Sequence, residues 1–397
     1  SEKGFDTVIT TTVSAAISGH IYGGGLVSAA STNLTLAGAE ISRDVYGGNF
    51  TNDNTTTLGS SNLVISDGEF KQYVVGGSRV EGKTAKHTTG SVSTTITGGD
   101  FTTSTTLETN EHKLWNAGYL VSGTKGEVKN TAAAYADANQ LKVGKATLTL
   151  NMAAENAGIA GKVYGGAFAN KGVAYVGPSV VNVVSGSYDY VYGGGYASEG
   201  GISATENVEI NMVGGSVKAL IAGGGNGANS YSITDTATIT VSGGTLETVF
   251  MGGRFNQSTV GTSTLVLDGI ASIGEVTGNS EANADVVNYA TVEVLKSAII
   301  TNIDGVDKVS IANGATLTLG EELACGEEDF LAIDFSTAGE AKSWTALIAD
   351  SIDDITAFEF SINGGEAGTL TWNNGVAILD GNTLKIEENK KLVITLA

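Results

Sequence analysis

The sequence predicts an all-β chain: a parallel β-solenoid followed by a C-terminal β-rich cap. Three observations predict it. A strand–glycine-turn–strand unit recurs along the first two thirds of the chain. Apolar residues within each copy alternate with a period of two. Glycine is abundant at 56 residues, whereas proline occurs once.

The unit is clearest at Val183–Tyr196, VVSGSYDYVYGGGY. Variants stand at 36–50 (LAGAEISRDVYGGNF), 65–78 (ISDGEFKQYVVGGS), 212–225 (MVGGSVKALIAGGG) and 241–255 (VSGGTLETVFMGGRF). The glycine corner marks the period, at Gly23, Gly47, Gly76, Gly165, Gly193, Gly223 and Gly252, with gaps of 24, 29, 89, 28, 30 and 29. A fixed period of this size signals stacked repeats, each packing on its neighbours. The long gap is expected to hold further turns. Ile96–Phe101 (ITGGDF) matches the first half of the unit, and Leu114–Tyr119 (LWNAGY) is a degenerate corner. Glu127–Gln140 reads as an insertion, a short helix or a loop.

Alternation appears at Leu34/Leu36, Leu63/Ile65, Leu148/Leu150, Val208/Ile210/Met212, Ile239/Val241 and Leu265/Leu267. Period two means half-buried strands. The residues between them are often Thr, Ser or Asn, which suit a solvated strand face. Three short strands per coil are expected, with coils stacked at ~4.8 Å. About ten coils would make a rod of roughly 50 Å. Tyr22, Tyr46, Tyr164 and Tyr192 hold the same place before the corner and are expected to stack in one line, as structural packing rather than as a sugar-binding strip. Val75, Ala222 and Met251 are read as interruptions of that line. After Gly252 the corners fade: Ile273–Asn279 is a weak copy, and Val306–Leu319 is another strand–turn–strand coil.

From about residue 326 the texture changes. Acidic clusters appear at Glu327–Asp329 and between Asp350 and Asp354, with Phe330, Phe335, Trp344, Phe358, Phe360 and Trp372 nearby. Thr383–Ile386 and Leu392–Leu396 alternate like a hairpin. Two regions are therefore expected: a solenoid over 1–325, and a β-rich cap or assembly module over 326–397. A cap is needed because the last rung otherwise offers an open edge.

Composition limits the function classes. The net charge of −21, from 42 acidic and 21 basic residues, argues against a nucleic-acid partner. The arginines are Arg43, Arg79 and Arg254. Cys325 is the single cysteine, so no intrachain disulfide is expected. No run of about 18 apolar residues predicts a membrane span. The first residues, SEKGF, read as a mature or trimmed start.

The VYGG corner after an I-S-G-G-type strand, with IDGVDKVSIANGATLTL at 303–319, resembles the β-solenoid passenger regions of bacterial autotransporter-like surface proteins. The resemblance covers about residues 1–320. It implies an extracellular or bacterial cell-surface location. In that family an outer-membrane β-barrel follows the passenger. The stretch up to Ala397 lacks the lipid-facing alternation of a barrel, so removal of the barrel or another anchoring route is expected.

No catalytic, cofactor or metal residues are assigned. There is no Gly-Asp-Ser-Gly nucleophile stretch, and His20, His87 and His112 have no serine or acidic partner near them in sequence. No calcium nonapeptide or EF-hand loop occurs, and one cysteine with three scattered histidines makes no zinc set. Asp353–Asp354 reads as a solvated turn. Threonine-rich strands read as ordinary β-branched usage. Four sequons begin at Asn33, Asn49, Asn54 and Asn256. The expected function is a structural or adhesive surface rod. It is expected to self-associate through its terminal strands, with Phe5–Val13 as a joining strand, or to bind a surface glycan or host protein. The alternative is a β-helix enzyme degrading polysaccharide. Asp67, Asp100, Asp189 and Glu247 lie near strand turns for that purpose, but without a clustered Arg or Lys, and an acidic surface disfavours an anionic sugar.

Overall fold

The computed structural model describes residues 8–101, 112–152, 158–255, 257–269, 272–279, 286–320, 331–336, 339, 343–348, 358–363, 371–372, 375–380 and 383–388. The chain winds as a parallel β-solenoid built from three sheets. The first sheet passes through thirteen strands in chain order, from Val8–Val13 to Phe358–Ile362. At ~4.8 Å per rung this path is roughly 60 Å long. The ten or so coils expected are present. The path is longer than ten strands because Lys308–Ile311, Leu331–Phe335 and Phe358–Ile362 continue it in parallel beyond the last glycine corner read from the sequence.

Strand lengths differ from three short segments per coil. In the coils from Ala29 to Leu267 the first-sheet strand has 10–16 residues. The second and third sheets together cover that one long strand. Tyr46-Gly47-Gly48 folds the chain inward between a second-sheet strand, Val45–Tyr46, and a third-sheet strand, Phe50–Asn52. A Cβ on Gly47 would run into the Gly76 carbonyl below it, so glycine is what lets the corners stack.

Two cores result. The main core lies between the second sheet and the C-terminal halves of the long strands, with Leu34, Leu36, Leu63 and Ile65 facing Val45 and Val74. The other lies under the third sheet, where Val80, Leu120 and Ala169 meet Val92, Val143 and Val176. Between them run hydroxyls that satisfy the corner carbonyls. Thr32 donates to Gly47 O at 2.8 Å, Ser61 to Gly76 O at 2.7 Å and Ser179 to Gly193 O at 2.8 Å. Ser203, Ser232 and Ser258 do the same for Ala167, Gly195 and Gly224. Polar residues at these interior places are explained by this pairing, since a buried carbonyl without a donor is costly.

The third sheet has six strands and ends at Gly225–Asn226. Beyond it the coils shorten: Val241, Leu267, Val294 and Ile311 share one row at steps of 26, 27 and 17 residues. The long gap between glycine corners holds one described corner, Asn116-Ala117, whose flanking strands pair with the coils on either side. Ile273–Asn279 supplies a second-sheet strand, Ser272–Thr277.

Parallel coils continue past residue 326, where the texture of the sequence changes. Antiparallel pairing begins only with Thr371–Trp372, Gly375–Asp380 and Thr383–Glu388, the last of which lies along Ser343–Ile348. Thr383–Glu388 forms a hairpin with Gly375–Asp380, not the expected one; Leu392–Leu396, its expected partner, falls outside the described residues. No helix among the described residues is long and apolar enough to cross a membrane.

Candidate functional site

The residue before each corner points away from the main core. Alternation along the second sheet sends Val45, Val74, Leu114, Val163 and Val191 inward. It sends Tyr46, Val75, Trp115, Tyr164 and Tyr192 to the opposite face. Phe168, Tyr119 and Tyr196 from the third sheet meet them, so aromatic rings fill the outer angle between the two sheets. Tyr22 and Tyr46 stack at 4.9 Å and 7°, and Tyr164 and Tyr192 at 4.3 Å and 18°. Tyr119 and Phe168 stack at 4.7 Å and 5°. Arg254 lies 4.1 Å above the Tyr190 ring and donates to the Tyr192 hydroxyl at 3.3 Å. Burial pushes the Tyr119 phenol up to about 12.

Tyr46, Tyr164 and Tyr192 are completely buried. Their stack is packing that glues adjacent coils, worth ~0.5–1.5 kcal/mol per ring pair beyond area burial. The expected line of tyrosines is present, and Val75 interrupts it. Ala222 and Met251 do not. The register pairs Tyr192 with Ile221 and Ile221 with Phe250, so these two continue the outer row. Ala222 and Met251 instead face the main core, in the place of Gly193.

Histidine partners invisible in the sequence appear once the coils stack. His20 Nδ1 lies 3.2 Å from the carboxylate of Asp44, one coil on. Asp44 also accepts from the Tyr46 hydroxyl at 3.0 Å and the Tyr73 N–H at 3.2 Å. His87 is buried against Thr56 (2.7 Å) and Thr89 (2.8 Å). His112 lies in the strand His112–Trp115. Among the described residues neither His20 nor His87 forms a nucleophile–base pair with a serine.

The insertion departs from the repeat. Its residues Ala133–Tyr135 form a single 3-10 turn. Ala132 and Tyr135 are buried against Val173, Tyr175, Ile202 and Ile233, so the segment straps three successive long strands. The Asp235 carboxylate accepts from the N–H groups of Ala132 (2.5 Å) and Ala133 (2.9 Å). Gln140 holds the base of the strap, accepting from Thr124 N at 3.1 Å and donating to Lys83 O at 3.1 Å.

Two clefts flank the strap and share Lys125 and Gly126. One, of about 320 Å³, is lined by Lys83, Lys86 and Lys125 together with Thr124, Asp137 and Asn139. The other, of about 440 Å³, includes Glu199, Asn229 and Tyr231. Neither signal was legible as a site: the lysines are 3 and 39 residues apart in a chain of net charge −21.

Of the carboxylates considered for polysaccharide cleavage, Asp189 and Glu247 stand on either side of Lys218 on three successive coils, a clustered lysine the sequence did not show, whereas Asp67 and Asp100 lie on earlier coils. Asp189 bonds Lys218 at 2.6 Å and the Gly161 N–H at 2.9 Å. Asp67 caps the Gly68 N–H at 2.8 Å, and Asp100 bridges backbone-wise to Glu69. Glu247 is exposed on Thr245–Phe250. Among the described residues no group of three His, Cys, Asp or Glu could hold a metal ion; Cys325, Asp353 and Asp354 fall outside them. Of the sequons, Asn49 is fully buried and donates to Val27 O at 2.9 Å, so its amide is not open to modification in the folded chain. Comparison with protein-family models, curated proteins and solved structures returns no match for this chain.

Proposed function

We propose that the chain is a rigid structural or adhesive rod of a bacterial surface or extracellular matrix, whose copies join end to end. The observation that carries this reading is the pair of edges left by the first sheet. Among the described residues Val8–Val13 is paired only with Ala29–Ile41, and Phe358–Ile362 only with Leu331–Phe335. Both edges belong to the same parallel sheet and run in the same direction. Strand 358–362 of one copy can therefore continue into strand 8–13 of the next. Between those ends nearly every strand has a neighbour on both sides, which favours stiffness over ligand-driven movement. Val8, Leu26 and Val27 are exposed, so the N-terminal coils also offer apolar surface.

Negative-stain microscopy and light scattering over a concentration series test the reading, on the full chain and on one lacking residues 1–13. Filaments with a repeat of one solenoid, lost on deletion, are expected. Isolated rods at every concentration would sink end-to-end joining. New reducing ends or unsaturated products from a panel of polysaccharides would overturn the passive role and favour the enzyme.

A further inference from the structure

We infer that the lysine-lined cleft beside the strap binds the carboxylate groups of an acidic glycan. The inference rests on the adhesive reading and names its ligand class. Net charge argues against an anionic partner for the molecule as a whole, but the charge is not evenly spread. Lys83, Lys86 and Lys125 line one cleft and make no ion pair among the described residues. Elsewhere Lys71, Lys171, Lys218 and Lys296 are each matched by a carboxylate within 3.0 Å. The single acid of the cleft, Asp137, is fully exposed and lies 3.8 Å from Lys142. Three lysines without an ion pair among the described residues, set around one concavity, make a local attraction for anions that the surrounding acidic surface does not supply.

The strap makes this a formed site. An inserted segment in a solenoid maps to one face and is where such proteins place binding loops. Here it is pinned at its middle by Asp235 and at its base by Gln140, so the cleft walls are set before a ligand arrives. The lining favours sugar over peptide. Apart from Val173 the groups around the lysines are small or polar, including Thr84, Thr124 and Asn139. No aromatic or large aliphatic pocket is present there of the kind that anchors peptide side chains. The adjoining cleft continues past Gly126 to the half-buried ring of Tyr231, so more than one sugar unit has a place to lie.

Calorimetric titration of the full chain with oligogalacturonate, its methyl ester and a glutamate peptide of equal charge tests the inference. Expected is binding to oligogalacturonate that weakens as salt rises, with little binding to the ester or the peptide. The triple variant Lys83→Gln, Lys86→Gln, Lys125→Gln is expected to lose about tenfold or more in affinity, with unchanged thermal unfolding because all three side chains are exposed. Lys296→Gln, outside the cleft, is expected to bind as the parent does. Absence of binding at low salt, equal binding of the ester or the peptide, or an unaffected triple variant would each overturn it. Filament formation by the triple variant reads the rod proposal separately: filaments without glycan binding remove this inference and leave the rod standing.

Discussion

The Asp235 carboxylate accepts a hydrogen bond from the Ala132 N–H at 2.5 Å, across 103 residues of sequence. With the second bond from Ala133 it is the longest-range polar tie of the strap. Hydrogen bonds to a charged group contribute ~1.5–3 kcal/mol. Asp235→Asn is expected to keep one acceptor and loosen the segment. Hydrogen exchange at Ala132 and Ala133 should speed up, and proteolysis within 121–140 should rise, while the long strands stay protected. Unchanged protection would mean that the Tyr135 packing holds the strap unaided.

Gly193 tests the corner. A Cβ there would collide with Val208 Cγ1 and lie 2.8 Å from the Ala222 carbonyl oxygen. One coil on, Ala222 takes the place of Gly193 and Ala237 pairs with Val208 in register. Gly193→Ala is therefore expected to destabilise by ~1–3 kcal/mol through overpacking. Adding Val208→Ala should recover part of that loss, measured as a coupling energy in urea unfolding.

His87 should make stability depend on pH. Burial lowers its pKa to about 4 from 6.5. The unfolded chain therefore binds the proton first as pH falls. The stability from keeping the ring neutral is complete above about pH 6.5, declines between 6.5 and 4, and levels off below 4. The amplitude is about 3 kcal/mol by the linkage of one pKa unit to 1.36 kcal/mol. Urea midpoints from pH 4 to 8 should show this slope in the parent and a shallower one in His87→Gln.

The antiparallel hairpin covers the C-terminal edge of the second sheet along Ser343–Ile348. Removing residues 371–397 exposes that edge, and doing so in the chain lacking residues 1–13 keeps end-to-end joining out of the readout. Exposed edges recruit other chains, so the shortened protein is expected to scatter more light at equal concentration and to sediment as larger species. A monodisperse truncated chain would show that the hairpin is not a guard.

Much of the coil was readable. Alternation at Leu34/Leu36 or Ile239/Val241 reports which side chains face the core because the pleat has a strict period of two. Tyr46-Gly47 and Tyr192-Gly193 report corners because the stacked chain leaves no room for a Cβ there. The candidate cleft was not readable. Lys83, Lys86 and Lys125 meet because Val80 pairs with Leu120, which stacks the loops after those two strands one coil apart, and Asp235 is about a hundred residues from the segment it pins. The His20–Asp44 contact was hidden for a simpler reason: a coil of 24 residues separates them.

The sequence by itself determined the all-β class, the parallel stacking and the corners at Gly47, Gly76, Gly165 and Gly193, since these follow from local sterics repeated from coil to coil. Tertiary structure decided which rows coincide. It placed Ile221 and Phe250, rather than Ala222 and Met251, in the aromatic row. It carried parallel coils past residue 326, chose Gly375–Asp380 as the hairpin partner, and drew three lysines round one cleft. Those outcomes depend on coil lengths that vary from 17 residues upward and on where an insertion docks. Both are settled by packing between coils, which no single repeat contains.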